Sequence, residues 1–435
     1  MFRVAKDTLD QPIPPQALQP ASALNSSVEP DYLTKGSCAY KRASIALFLS
    51  GFATFSLLYC VQPLMPLFSK DFGITPAASS LSLSLCTGFL AFSIFLAAAI
   101  SEGFGRRSLM FASLLGSAIC TIICSIVSDW NLLLVTRALQ GFLLGGAPAV
   151  AVAYLAEEVE PRGLGATVGL YIAGTAFGGM CGRVLTGALV EMFTWRPALA
   201  IMGLLGLAAA IGFFKLLPPS RHFIPHRGFD PKFHLSAWLG HIRNPALPCL
   251  FAVSFLVMGA FVTTYNYIGY RLVEAPYNLG QTALGMIFTV YVAGIFASWA
   301  AGKLGDRFGA FRVMPFSLLT AAIGCMLTLL SPLPVIIAGI VLLTTGFFMS
   351  HSLASAQVAK LARGTKGHAS SLYLLSYYMG SSVAGTVGGF FFAAAGWPAI
   401  VTFTVGMLVV ATISGLSAKV LAARSEPKSI FVPAE

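Results

Sequence analysis

Residues 98–107 read Ala98-Ala99-Ile100-Ser101-Glu102-Gly103-Phe104-Gly105-Arg106-Arg107, and residues 302–309 read Gly302-Lys303-Leu304-Gly305-Asp306-Arg307-Phe308-Gly309. Each is a short charged break between long apolar stretches. Glu102-Gly103-Phe104-Gly105 aligns with Asp306-Arg307-Phe308-Gly309 at an offset of 204 residues. Further matches keep nearly that offset: Leu170-Tyr171 with Leu372-Tyr373, Gly178 with Gly380, Gly187 with Gly389 and Trp195 with Trp397, all 202 apart. Several matches at one spacing mark a duplicated unit.

The stretches flanking the first loop, 72–101 and 108–128, contain no Asp, Glu, Lys or Arg, and neither do 43–69, 244–270 and 275–302. The uncharged runs 313–359 and 369–418 are too long for one crossing each. Ser331-Pro332-Leu333-Pro334 divides the first and Gly396-Trp397-Pro398 the second, because proline supplies no N–H and stops a helix. Residues 130–156 and 163–190 carry one arginine each, Arg137 and Arg183, and 197–214 gives a last run. About 20 apolar residues cross the hydrocarbon layer. The reading is an all-α membrane protein with twelve transmembrane helices in two pseudo-symmetric six-helix bundles. Composition agrees: of 435 residues 57% are hydrophobic and 10% charged, with a mean hydropathy of +0.81, where a soluble domain has about 25% charged residues. That excludes a soluble enzyme and a disordered regulator.

The net charge of +11 would suit a nucleic-acid binder, but the positions of the charges explain it otherwise. With the N-terminus inside, 22 of the 27 Lys and Arg fall on cytoplasmic segments. Lys70, Arg196 and Arg271 fall outside, and Arg137 and Arg183 lie within spans. Basic residues stay on the cytoplasmic side, so both termini are placed there, with no anionic partner required. Residues 1–42 read as a disordered cytoplasmic tail with no signal peptide. They are followed by an N-terminal bundle over 43–214, a cytoplasmic linker over 215–243, a C-terminal bundle over 244–422 and a tail over 423–435. The eight cysteines are scattered and form no ligand cluster with histidine, so no disulfide, metal or cofactor is expected.

Residues 98–107 resemble the signature loop of the major facilitator superfamily, Gly-x-Leu-Ala-Asp-Arg-x-Gly-Arg-Arg/Lys, with Ala98 for Gly, Glu102 for Asp and Gly103 for Arg. The copy at 302–309 keeps the front half and replaces the trailing basic pair with Ala310-Phe311. Arg137-Ala138-Leu139-Gln140-Gly141 resembles that family's Arg-x-x-x-Gly element, and the glycines of span five resemble a motif of its antiporter branch. Tyr59-Cys60-Val61-Gln62-Pro63, Tyr154-Leu155-Ala156-Glu157-Glu158 and Ser370-Ser371-Leu372-Tyr373 are similar to the YnfM-type inner-membrane efflux proteins. The resemblance covers about residues 40–422 and implies a conformational lock at the loops: Glu102, Gly105, Arg106 and Arg107, with Asp306, Arg307 and Gly309 in the copy. Charge pairing there would hold the cytoplasmic side shut while the site opens outward.

Charge inside lipid is expensive and faces a cavity or a partner. Arg137 lies about six residues, or roughly 9 Å, from the outer end of span four, with Gln140 on the same face. Arg183 lies at similar depth, and its duplicate is Gly385, so the charge breaks the repeat. The expected cavity lining is Arg137, Gln140, Arg183, Tyr59, Gln62, Tyr265, Asn266 and Tyr377, since buried phenols and amides want wet partners. No Asp or Glu occupies the middle of a span, which leaves Glu157, Glu158 and His351 as proton-coupling candidates. Small residues every four positions, Gly174, Gly178 and Gly182 and then Ser376, Gly380, Ala384 and Gly388, suit closely packed moving helices.

These features point to a secondary transporter working by alternating access, with proton-coupled efflux of a small organic solute such as a drug or sugar, acting as a monomer in the cell inner membrane. Its partners are lipid, the solute and protons. The nearest alternative is a uniporter or symporter of an organic anion bound by Arg137 and Arg183, and a more distant one is a membrane sensor. No Gly-x-x-x-x-Gly-Lys-[Ser/Thr] loop for ATP and no catalytic constellation is evident.

Overall fold

The computed structural model describes residues 32–222, 231–362 and 364–425, with the backbone alone for 95, 98–104, 231 and 425. The apolar runs form helices because hydrocarbon offers no partner for N–H and C=O, so each segment must satisfy its own. α1 (Cys38–Tyr59) and α2 (Met65–Phe72) make one crossing, interrupted by a 3-10 turn at Gln62–Leu64, where Pro63 and Pro66 each remove an amide donor. The first half continues with α3 (Pro76–Phe104), α4 (Arg106–Ile126), the broken pair α5 (Trp130–Leu144) and α6 (Gly146–Glu158), α7 (Pro161–Met192) and α8 (Trp195–Leu216). A short helix, α9 (Pro231–Arg243), precedes the second half. That half holds α10 (Leu247–Val273), α11 (Gln281–Met286), α12 (Tyr291–Phe308), α13 (Ala310–Leu327), α14 (Leu333–Leu361) and α15 (Lys366–Ser425). α15 is two crossings: Ala395 and Gly396 leave helical geometry, Gly396 at φ +63°. The chain therefore crosses twelve times, six in each half.

The duplication is visible in the backbone. Gly105 (φ 82°, ψ 139°) caps the start of α4, and Gly309 (φ 89°, ψ 128°) caps the start of α13. Both adopt a conformation that a Cβ disfavours. The small-residue face of α7 packs inside its own half, with Gly174, Gly178 and Gly182 against the α1 backbone at Phe48, Phe52 and Ser56. Gly380 repeats the contact on Phe255.

Contacts between the halves gather at the end opposite the two signature loops. Ser69 Oγ and Tyr270 Oη lie 2.7 Å apart, Tyr270 donates to the Met65 carbonyl (2.9 Å), and Ser382 donates to the Ser84 carbonyl (2.7 Å). Gly187 of α7 abuts the start of α11, where a Cβ would lie 2.6 Å from the Gln281 carbonyl oxygen. Its duplicate Gly389 abuts Ala77 at the start of α3. Gln281 and Ala77 are themselves 204 residues apart, so the two contacts are one contact made twice across a pseudo-two-fold axis.

Two domain boundaries differ from expectation. α1 begins at Cys38, and Leu33 already pairs with the backbone of Glu158 and Glu160. The segment from 32 onward is therefore anchored, and residues 1–31 of the expected tail lie outside the described residues. At the other end α15 runs to Ser425, three residues into the expected tail over 423–435, of which 426–435 lie outside the described residues. α9 sits on the start of α15, with His234 Nδ1 and His368 Nε2 2.9 Å apart and Trp238 Nε1 donating to Ser371 Oγ (3.2 Å).

Candidate functional site

A cavity of about 640 Å³ lies between the halves. Phe55 and Tyr59 of α1 and Thr175, Gly179 and Arg183 of α7 line one side. Phe261 of α10, Tyr291 and Ser298 of α12, His351, Ser352 and Ser355 of α14 and Tyr377 of α15 line the other. It extends along α14 to Ala359, two residues before that helix ends at the signature-loop face. At its far end it stops at Arg183 and Tyr59.

Arg183 is 1% exposed. Its Nε donates to Gln62 Oε1 (2.6 Å) and its Nη1 to the Gly179 carbonyl one turn back (2.6 Å). The guanidinium carbon sits 3.9 Å from the Tyr59 ring centroid, 4.8 Å from Tyr291 and 4.9 Å from Phe288, close enough for each ring face to attract the cation. Gln62 opens the 3-10 turn at the Pro63 break. Its Nε2 donates to Asn266 Oδ1 of α10 (2.7 Å). Gln62 and Asn266 are duplicates, 204 residues apart, so this bond joins equivalent positions at the molecular axis. Behind the cavity it forms the first layer of the seal.

Arg137 and Gln140 are elsewhere, which corrects their expected place in the cavity. Arg137 Nε donates to the Ser82 carbonyl (2.7 Å), Nη2 to Leu58 (2.7 Å), and Nη1 to Leu57 (3.2 Å) and to Gln140 Oε1 (2.6 Å). Gln140 Nε2 reaches Thr121 Oγ1 (2.8 Å) and the Leu57 carbonyl (3.3 Å). α1 ends at Tyr59, so its last carbonyls have no helical amide beyond them. A buried cation at that negative end replaces the missing donors. Arg137 is thus a cap for a broken helix.

Of the remaining expected lining, Tyr59 and Tyr377 face the cavity, while Gln62 and Asn266 lie in the seal. Tyr265 is buried, with its hydroxyl 2.8 Å from Thr344 Oγ1. His351 lines the cavity, with Tyr373 Oη 2.9 Å from its Nδ1. Glu157 and Glu158 do not line it. Arg106 donates to Glu157 through Nη2 (2.7 Å) and Nε (3.3 Å). Glu158 Oε1 accepts from the backbone amides of Arg221 (2.7 Å) and His222 (3.0 Å), tying down the chain after α8. Both carboxylates serve the signature-loop face of the first half. In the same half Arg107 donates to the Phe214 carbonyl (2.6 Å) and covers that ring. Asp306 and Arg307 are exposed, and the side chain of Glu102 lies outside the described residues.

Residues not singled out in the sequence also matter here. Phe288 completes the ring cluster on Arg183, and Ser298, Ser352 and Ser355 supply hydroxyls. The only advance signal for the last two was their i, i+3 spacing beside His351 in an apolar span.

The profile of the Major Facilitator Superfamily matches residues 47–275 and 269–435. The chain is 44% identical over 384 residues to the inner membrane transport protein YnfM of Escherichia coli (strain K12), covering 88% of this chain and 92% of that protein. It is 41% identical over 389 residues to the uncharacterized MFS-type transporter YybF of Bacillus subtilis (strain 168), covering 89% and 96%. Among solved structures, a bacterial homolog of the human lysosomal transporter Spinster, in an inward-facing and occupied conformation, superposes with a TM-score of 0.72 at 14% identity, covering 92% of this chain and 100% of that one. Twelve crossings in two matched halves, a hollow at their seam and this sequence kinship converge: the chain belongs to the Major Facilitator Superfamily and is a multi-pass membrane transporter.

Proposed function

We propose that this transporter works by alternating access and exports a small organic solute in exchange for protons, as a monomer in the inner membrane with both termini in the cytoplasm. The observation that carries the reading is the cavity between two duplicated halves, reaching one face and stopped at the other by symmetry-related contacts. Rocking the halves about that seam would expose the cavity to each side in turn. The signature-loop face carries most of the basic residues, which supports its assignment to the cytoplasm. In this arrangement the cavity is inward-facing. The efflux direction and the proton rest on the resemblance of residues 59–63, 154–158 and 370–373 to an efflux branch.

His351 is the proposed proton carrier. It is the one imidazole among the described lining residues, and a proton on it would compete with cargo for the same space. The test is a pH jump across proteoliposomes loaded with candidate solutes. Export should follow the imposed proton gradient in the wild type and lose that dependence in His351→Gln. Flux indifferent to the gradient in the wild type would reject antiport. It would favour the second reading, a uniporter or symporter of an organic anion, for which Arg183 without a facing carboxylate is the supporting observation.

A further inference from the structure

Arg183 is a buried charge with an incomplete set of partners. Two of its three nitrogens donate to neutral oxygens, those of Gln62 and Gly179. Nη2 has no hydrogen-bond partner among the described residues, although the side chain lines the cavity. The described lining contains no Asp or Glu. A guanidinium withdrawn from water and left without an anion is costly. The three rings around it lower that cost only in part, since a ring face attracts a cation weakly compared with a carboxylate. Two of the rings, Tyr59 and Tyr291, line the cavity beside the guanidinium.

We infer that Arg183 with Tyr59, Phe288 and Tyr291 forms a subsite for the anionic group of an amphipathic organic acid, whose apolar body lies toward Phe261 and Tyr377. This rests on the transporter reading above and narrows its cargo to organic anions with an aromatic or aliphatic body. The charge of the subsite comes from one half alone, because the duplicate of Arg183 is Gly385, which lies beside Asn266. It is also wired to the seal. The guanidinium that meets the anion holds Gln62, and Gln62 holds Asn266 across the axis. Asn266 Nδ2 is buried with no partner, so the closed seal is itself imperfectly satisfied. An anion that draws Arg183 into the cavity pulls on the Gln62 side of that bond.

The test is ligand-dependent thermal unfolding of the full chain in lipid nanodiscs, with no gradient present. Benzoate, octanoate and phenyl phosphate are each compared with an uncharged partner: benzamide, octanamide and phenol. A ligand bound to the folded state raises Tm in proportion to its affinity and concentration. At least one anion should raise Tm where its neutral partner does not. Arg183→Gln should weaken that anion by about tenfold or more, the usual loss for a charge-assisted hydrogen bond. Arg183→Lys, which keeps the charge, should recover part of it. Neutral partners binding as well as the anions, an anion effect that persists in Arg183→Gln, or no anion effect across the panel would each overturn the proposal. Failure of transport is a separate result. Anion binding lost in Arg183→Gln with no flux in proteoliposomes keeps this subsite and rejects transport, and proton-driven flux without anion binding does the reverse.

Discussion

Two arginines that look alike in the sequence have opposite fates in the fold. All the hydrogen-bond acceptors of Arg137 are protein oxygens at the broken end of α1 and on its neighbours. Removing it leaves buried carbonyls unpaired, a loss of about 1–3 kcal/mol for each group left unsatisfied. Arg137→Ala should therefore lower Tm and the yield of folded protein, and its transport defect should follow from that. Arg183→Ala should leave Tm within a few degrees of wild type, because its partners are rings, one amide and a carbonyl of its own helix, and should abolish transport in counterflow assays. Equal loss of Tm in both variants would put the two arginines in the same structural class. At Asn266 the prediction concerns the seal: Asn266→Leu removes the acceptor of the Gln62 bond and should raise the outward-open population, read as greater labelling of cysteines placed near the outer ends of α7 and α11.

The helices explain how small residues divide labour. Gly174, Gly178 and Gly182 face α1 within one half, where close backbone approach gives a tight, permanent seam. Gly187 and Gly389 face the opposite half, so they belong to an interface that must separate in each cycle. Gly187→Val and Gly389→Val should each wedge the outer contact, at about 1–3 kcal/mol of overpacking, and favour the outward-open state. The two effects should resemble one another because the contacts are symmetry-related. Gly178→Val should instead destabilise the first half and lower Tm with no bias between states. Measured inter-helix distances between spin labels on α3 and α15 would tell the outcomes apart.

For the molecule as a whole, the central expectation is that sealing one face and opening the other are the same motion. A cross-link that fixes the outer contact, such as Ser84→Cys with Ser382→Cys, where the wild-type side chain and backbone already meet, should stop transport. It should leave cargo access from the signature-loop face intact. Reduction of the link should restore flux. If flux continued with the link closed, solute would be passing by some route other than rocking of the halves.

Twelve crossings, two copies of one unit and the side carrying the basic residues were all legible in the linear chain. These depend on local properties: apolar runs of membrane-spanning length, prolines and Gly396 at the breaks, and matches at a constant spacing. The identity of Arg183, Tyr59, His351 and Tyr377 as cavity residues was legible in part, because polar groups in apolar helices stand out. Which of them face the cavity was not. Arg137 and Gln140 carry the same signal as Arg183, yet they are consumed by the carbonyls of α1. Those carbonyls need them only because a proline break in one crossing lies beside another crossing some 75 residues away. The bond between Gln62 and Asn266 likewise required the halves to be brought face to face. A side chain's partners are set by packing between distant segments, and only the folded chain brings those segments together.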